Sequence, residues 1–215
     1  KGVMEVRGSK NATTPILAAT LLSPKTSVIS GIPLIEDVFR MLEILESLGA
    51  RVEWKGKRTV SVTPGKIDPS KMDVALVKKL RSSILLLGSL SARFDRFTLH
   101  QPGGCTIGKR PTDTHIDILG KLGVSIAREE KGYRVDASKR KSGKAVLREL
   151  SVTATENAMM LAAGMPGKTV IKIAAAEPHV EDLGRFLVKM GAKITGLGTH
   201  TLTIIGSKNL RGATH

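Results

Sequence analysis

Aromatic residues make up only 3% of this 215-residue chain, with one Trp, one Tyr and four Phe. The core must therefore be aliphatic, and platforms on which nucleic-acid bases could stack are scarce. Trp54 and Tyr133 fall in strand-like segments, and no aromatic cluster interleaves with the cations. A single cysteine excludes an internal disulfide framework and suits a reducing compartment, so a cytoplasmic location is expected. No apolar run approaches the roughly 18 residues that cross a bilayer. The opening Lys-Gly-Val-Met-Glu-Val lacks the charged-then-apolar layout of a secretory signal, so no membrane partner is expected. Acidic residues are also few: 34 Lys and Arg stand against 19 Asp and Glu, a net charge of +15. Such a surplus points to anionic partners, either nucleic acid or a small substrate such as a nucleotide-sugar or a phosphorylated acid. Part of it is spread along the chain as an ordinary solvated surface. The remaining composition, 41% hydrophobic and 25% charged, is that of a folded soluble domain.

One unit recurs three times. Its marker closes an amphipathic helix and opens a strand: Leu48-Gly49-Ala50-Arg51-Val52, Leu122-Gly123-Val124-Ser125-Ile126 and Met190-Gly191-Ala192-Lys193-Ile194. Glycine at each position fits a left-handed helix C-cap. A proline (Pro33, Pro111, Pro178) lies near the start of each preceding helix, where its missing N–H costs nothing. Each unit also holds an earlier helix, within 12–22, 82–92 and 155–164, that is apolar on nearly every side and must be enclosed. Short strands are expected at 3–7, 27–30, 51–54, 59–63, 98–100, 125–128, 133–136, 170–173, 193–195 and 201–205. The expected fold is α/β: three βαβαββ-type repeats, at about 1–70, 71–142 and 143–215, around a pseudo-threefold axis. This places the buried helices inside and the sheets outside, an inside-out α/β barrel.

Equivalent repeats make the three buried helices parallel, so their N-termini gather at one end of the domain. Those starts are Lys10-Asn11, Lys79 to Ser82, and Ser151 to Thr155. Free N–H groups and partial positive charge together form a surface for anions, and Lys10 and Arg81 reinforce it.

The stretch Gly103 to Pro111, Gly-Gly-Cys-Thr-Ile-Gly-Lys-Arg-Pro, carries Cys105 between glycines and beside two cations. A thiol next to Lys109 and Arg110 is expected to ionise readily. The glycines suit a loop over a ligand. The alternative is a small buried cysteine near a turn.

Three segments carry a family resemblance: Ser-Lys-Asn-Ala-Thr-Thr-Pro-Ile-Leu-Ala-Ala (9–19), Leu-Arg-Ser-Ser-Ile-Leu-Leu-Leu-Gly (80–88) and Pro-Gly-Gly-Cys-Thr-Ile-Gly-Lys-Arg-Pro-Thr-Asp-Thr-His (102–115). They resemble the UDP-N-acetylglucosamine 1-carboxyvinyltransferases of the enolpyruvyl transferase family. The resemblance runs the length of the chain and implies the inside-out barrel. It also implies transfer of enolpyruvate from phosphoenolpyruvate to the 3-hydroxyl of UDP-N-acetylglucosamine, with release of phosphate. That reaction is the first committed step of peptidoglycan synthesis. By the same resemblance Cys105 is the catalytic residue that adds to or protonates phosphoenolpyruvate and is alkylated by fosfomycin. Lys10, Arg110 and Arg81 bind phosphoenolpyruvate. Asn11, Arg81, Pro111, Thr112, Asp113, Thr114, Ser151, Val152 and Thr153 bind the nucleotide-sugar. No metal and no cofactor are implied. Thr153 stands where many members have glycine, and Thr114 where an aliphatic residue is common.

Several of these residues keep a purely structural alternative. Arg81 could cap the C-terminus of another helix. His115 could be an ordinary residue of a helix face, Asp113 an N-terminal acid favoured by the dipole, and Ser151 and Thr155 simple caps. The family's enzymes have two such domains with the active site between them. This chain is therefore expected to be the cysteine-bearing half, inactive alone, with the base that takes the hydroxyl proton in the missing domain. The alternative function is a basic nucleic-acid-binding module of α/β repeats. A shikimate-pathway transferase is disfavoured by the cysteine loop.

Overall fold

The computed structural model describes residues 2–3, 8–103 and 111–215. A buried helix, a strand, an outer helix and a strand pair follow one another three times. The first set is α1 (Lys10–Thr20), β1 (Ser27–Ile29), α2 (Glu36–Ser47), β2 (Arg51–Gly56) and β3 (Thr59–Thr63). A short α3 (Val74–Lys79) leads into the second, where a 3-10 turn over Arg81–Leu85 continues into α4 (Leu86–Arg93). Then come β4 (Arg96–His100), α5 (Asp113–Lys121), β5 (Ser125–Glu129) and β6 (Gly132–Asp136). The third set opens on β7 (Lys144–Val146) and continues with α6 (Val152–Ala163), β8 (Gly167–Lys172), α7 (Pro178–Met190), β9 (Lys193–Thr195) and β10 (Thr201–Gly206).

Each set folds its strands into its own sheet, in the orders β1-β3-β2, β4-β6-β5 and β8-β10-β9. All pairs within these triplets are antiparallel. The later strand of each pair lies in the middle because a short turn returns it beside its partner before it meets the earlier strand. β7 extends the third sheet by pairing parallel to β8. The first sheet is extended in the same place by the last residues of the chain. Thr214 bridges Val28 in parallel, Val28 N donates to Ala213 O at 2.9 Å and His215 N donates to Val28 O at 2.8 Å.

The expected enclosure of three helices is observed. α1 is buried from Thr13 to Thr20, α4 from Leu86 to Ala92, and α6 from Ala154 to Ala163. The outer helices bury one stripe each, as Val180, Leu183, Phe186, Leu187 and Met190 do on α7. At about 1.5–3 kcal/mol for each large apolar side chain removed from water, these stripes hold the outer layer to the core. α4 and α6 cross closely at Gly88. A Cβ there would lie 2.4 Å from Asn157 O, and Gly88 N donates to Asn157 Oδ1 at 2.6 Å. The three C-cap glycines, Gly49, Gly123 and Gly191, have φ of 102°, 82° and 115°, the left-handed conformation their positions called for.

Some expectations are corrected. Of the three prolines only Pro178 occupies the first helical turn; α2 begins at Glu36 and α5 at Asp113, after Pro33 and Pro111. The second set has no leading strand among the described residues. Asp73 instead nucleates α3, its Oδ1 accepting from Ala75 N at 2.8 Å and Leu76 N at 3.0 Å. Its enclosed helix starts as a 3-10 turn rather than a regular α-helix. The strand expected at 3–7 falls on residues 4–7, which lie outside the described residues.

Candidate active site

The starts of the three enclosed segments meet in one cleft of ≈ 570 Å³, lined by Lys10, Asn11, Arg81, Ser82, Ser151, Val152 and Thr153 among others. None of the three starts carries a side-chain cap, so their first N–H groups are not spent on a neighbouring hydroxyl or carboxylate. This gives the positive end expected for parallel helices.

Lys10 is the first residue of α1, half exposed, and its Nζ reaches Asp37 Oδ2 of α2 at 2.8 Å. An exposed pair of this kind contributes little to stability; it holds the ammonium at the rim. Arg81 opens the 3-10 turn and lines the cleft. Arg93 caps one helix end: its Nη1 donates to Leu21 O at 2.8 Å just past the end of α1. Ser82 Oγ is buried without a partner. Ser151 takes the N-cap position of α6 but makes no side-chain cap. Thr155 donates to Ser151 O at 2.7 Å and accepts from Ala175 N at 3.0 Å, so it joins α6 to the segment after β8.

The segment 111–114 divides. Pro111 lines the cleft. Thr112 is buried against Tyr133, hydroxyl to hydroxyl at 2.9 Å, and Asp113 pairs with Arg128 at 2.9 Å on the exposed side. Thr114 donates to Glu149 Oε1 at 2.6 Å. These three contacts hold the start of α5 in place, and the three residues do not line the cleft. Cys105 and Arg110 lie outside the described residues.

His115, an unexceptional helix-face residue from sequence, is 5% exposed and lines the cleft. Its Nε2 hydrogen-bonds Thr153 Oγ1 at 2.7 Å, linking α5 to α6. Burial pushes its pKa down to about 4, the nearby Arg81 charge adds to the fall, and Glu149 opposes it. The imidazole is therefore neutral at pH 7. Sequence reasoning did not single out Asp37, Glu156 or His179, all of which line the cleft. Glu156 had a readable signal: it is the one ionisable residue in α6, an otherwise enclosed helix.

The chain matches the EPSP synthase (3-phosphoshikimate 1-carboxyvinyltransferase) family over residues 1–215. It is 41% identical over 216 residues to UDP-N-acetylglucosamine 1-carboxyvinyltransferase 2 of Clostridium tetani, covering 100% of this chain and 52% of that protein. Identity to the Treponema denticola UDP-N-acetylglucosamine 1-carboxyvinyltransferase is 42%, covering 100% and 50%. The chain thus spans about half the length of the curated relatives it matches. Among solved structures, the enolpyruvyl transferase NikO from Streptomyces tendae superposes with a TM-score of 0.85 at 21% identity, over 100% of this chain and 51% of that one. EPSP synthase from Acinetobacter baumannii gives 0.76 at 20%, over 99% and 48%. Both share the fold of enclosed helices and outer sheets. By sequence over its whole length, the chain belongs to the EPSP synthase (3-phosphoshikimate 1-carboxyvinyltransferase) family.

Proposed function

We propose that this chain is the cysteine-bearing half of a UDP-N-acetylglucosamine 1-carboxyvinyltransferase, acting in the cytoplasm in peptidoglycan synthesis. The observation that carries the reading is the convergence of Lys10, Arg81 and Ser151 to Thr153 on one cleft at three helix starts. Identity of about 40% to relatives of that name supports the choice of substrate. In this reading Lys10, Arg81 and Arg110 hold the phosphate and carboxylate of phosphoenolpyruvate, a task suited to guanidinium forks. Asn11, Arg81, Pro111 to Thr114 and Ser151 to Thr153 receive the nucleotide-sugar. Thr112, Asp113 and Thr114 then act chiefly by fixing Pro111 and the start of α5.

Cys105 delivers a proton to C3 of phosphoenolpyruvate while the surrounding cations stabilise the phosphate. The sugar 3-hydroxyl attacks C2, and its proton passes to a base in the other half of the enzyme. Loss of the C3 proton and departure of phosphate leave the enolpyruvyl ether. The chain alone binds substrates and does not turn over. Fosfomycin should form a covalent adduct at Cys105, seen by intact mass and peptide mapping, and faster with UDP-N-acetylglucosamine present. Absence of any adduct with saturating nucleotide-sugar, or efficient turnover by the isolated chain, would overturn the reading.

A further inference from the structure

Glu156 stands in the second turn of α6, three and four residues after Thr153 and Val152, and so on the same helix face. It lines the cleft with them, yet it is only 1% exposed and its Oε1 has no hydrogen-bond partner. No cation among the described residues forms an ion pair with it. Its helix neighbours Ala154, Ala158, Met159 and Met160 are apolar and buried, so packing alone does not call for a carboxyl at this point. The reaction outlined above makes no use of it.

The charges around the group are mixed. The 3-10 turn before α4 contributes Arg81, α5 contributes His115, and α7 contributes His179, with Glu177 at its N-cap. α4, β8 and β10 also pack on α6 but place no ionisable side chain in the cleft lining. Lys10, Lys79 and Asp37 complete the cleft. A buried carboxylate with no paired cation among the described residues is strongly penalised, which favours the protonated form. Burial pushes its pKa well above the carboxylate range, and the negative charge of Glu177 acts in the same direction. A protonated carboxyl is a donor as well as an acceptor, and the helix starts beside it favour anions.

We propose that Glu156 contacts the ligand in this cleft, donating its carboxyl O–H to a phosphate or carboxylate oxygen of the bound small molecule. The proposal rests on the anion-binding reading of the cleft, and it adds a buried carboxyl donor to the cations, hydroxyls and backbone N–H groups already there.

The test uses the chain labelled with carbon-13 at the glutamate carboxyls, with Glu156→Gln identifying the Glu156 resonance. UDP-N-acetylglucosamine, phosphoenolpyruvate and inorganic phosphate are added separately. The resonance should titrate above the ordinary carboxylate range and shift with at least one probe; the probe that moves it shows which anionic oxygen it meets. Glu156→Gln, which keeps a neutral donor, should bind that probe within about threefold of the parent chain. Glu156→Leu should bind it at least about tenfold more weakly, the loss of one hydrogen bond to a charged group. As pH rises through that titration, the parent chain should lose affinity relative to Glu156→Gln, which cannot ionise. Titration in the ordinary carboxylate range, a resonance moved by no probe, or equal losses in the Gln and Leu variants would each overturn the proposal. If inorganic phosphate shifts the resonance while neither substrate binds, the transferase reading fails and the contact stands.

Discussion

The enclosed helices have two ends, and the chain treats them differently. At their starts is the cleft of ≈ 570 Å³; at their ends is a cavity of ≈ 650 Å³ bordered by Leu22, Ala92, Arg93, Gly164 and Met165. Size does not separate the two. At the far end, Arg93 donates to Leu21 O at 2.8 Å past the end of α1, and Ser207 N donates to Ala163 O at 2.9 Å at the end of α6. At the near end the caps are missing, and Ser82 Oγ and Glu156 Oε1 are buried without a partner among the described residues. The negative end of α1 is offset by a cation from within, whereas the three positive ends carry no side-chain cap. On the proposed function, the end without side-chain caps is the binding end and the end tied down by Arg93 the stabilising one.

The largest effect expected is in acid, and it should break the near end first. His115 takes up its proton near pH 4 when folded and near 6.5 when unfolded. Below pH 6.5 the unfolded state therefore binds more protons, and stability is lost as pH falls toward 4. The loss is about 3 kcal/mol, and His115→Gln should flatten this part of the profile in urea unfolding at pH 4.5 and 7. Next, Arg93→Met should lower stability by about 2 kcal/mol, leaving Leu21 O unpaired at the far end, with nucleotide-sugar affinity unchanged by calorimetry. Arg81→Ala should do the converse, weakening nucleotide-sugar or phosphoenolpyruvate binding about tenfold or more with a smaller change in melting temperature. If Arg81→Ala and Arg93→Met shift stability and affinity alike, the two ends are not functionally distinct. The smallest effect belongs to Asp37→Asn. Freeing Lys10 from its exposed pair should change stability by less than about 1 kcal/mol and raise affinity for inorganic phosphate a few-fold.

How much of this was legible in the sequence depends on how local each cause is. Gly49, Gly123 and Gly191 were readable because a left-handed cap is decided by a few residues. The all-round apolar helices were readable because composition alone requires enclosure. From those two facts the meeting of Lys10, Arg81 and Ser151 followed. β7 was not readable: Lys144-Ala145-Val146 is three residues long and is a strand only because β8 lies beside it. The burial of His115 was not readable, because it comes from contact with α6 across the interface, which periodicity within α5 does not record. Glu156 was overlooked although it interrupts an apolar helix, since a lone acid there has meaning only once the cleft is seen.

The pairing of residues 213–215 with β1 has a further consequence. It joins positions 186 apart in the chain, as in the bond from Ala213 N to Ser27 Oγ. An open array of repeats can lose its terminal unit and leave the others standing. Here the first and third units share a sheet, so the array is a ring without a terminal unit, and melting any one unit uncovers both its neighbours. The chain should therefore unfold in a single cooperative step, and it should fold slowly because the closing contact is among the most distant in sequence.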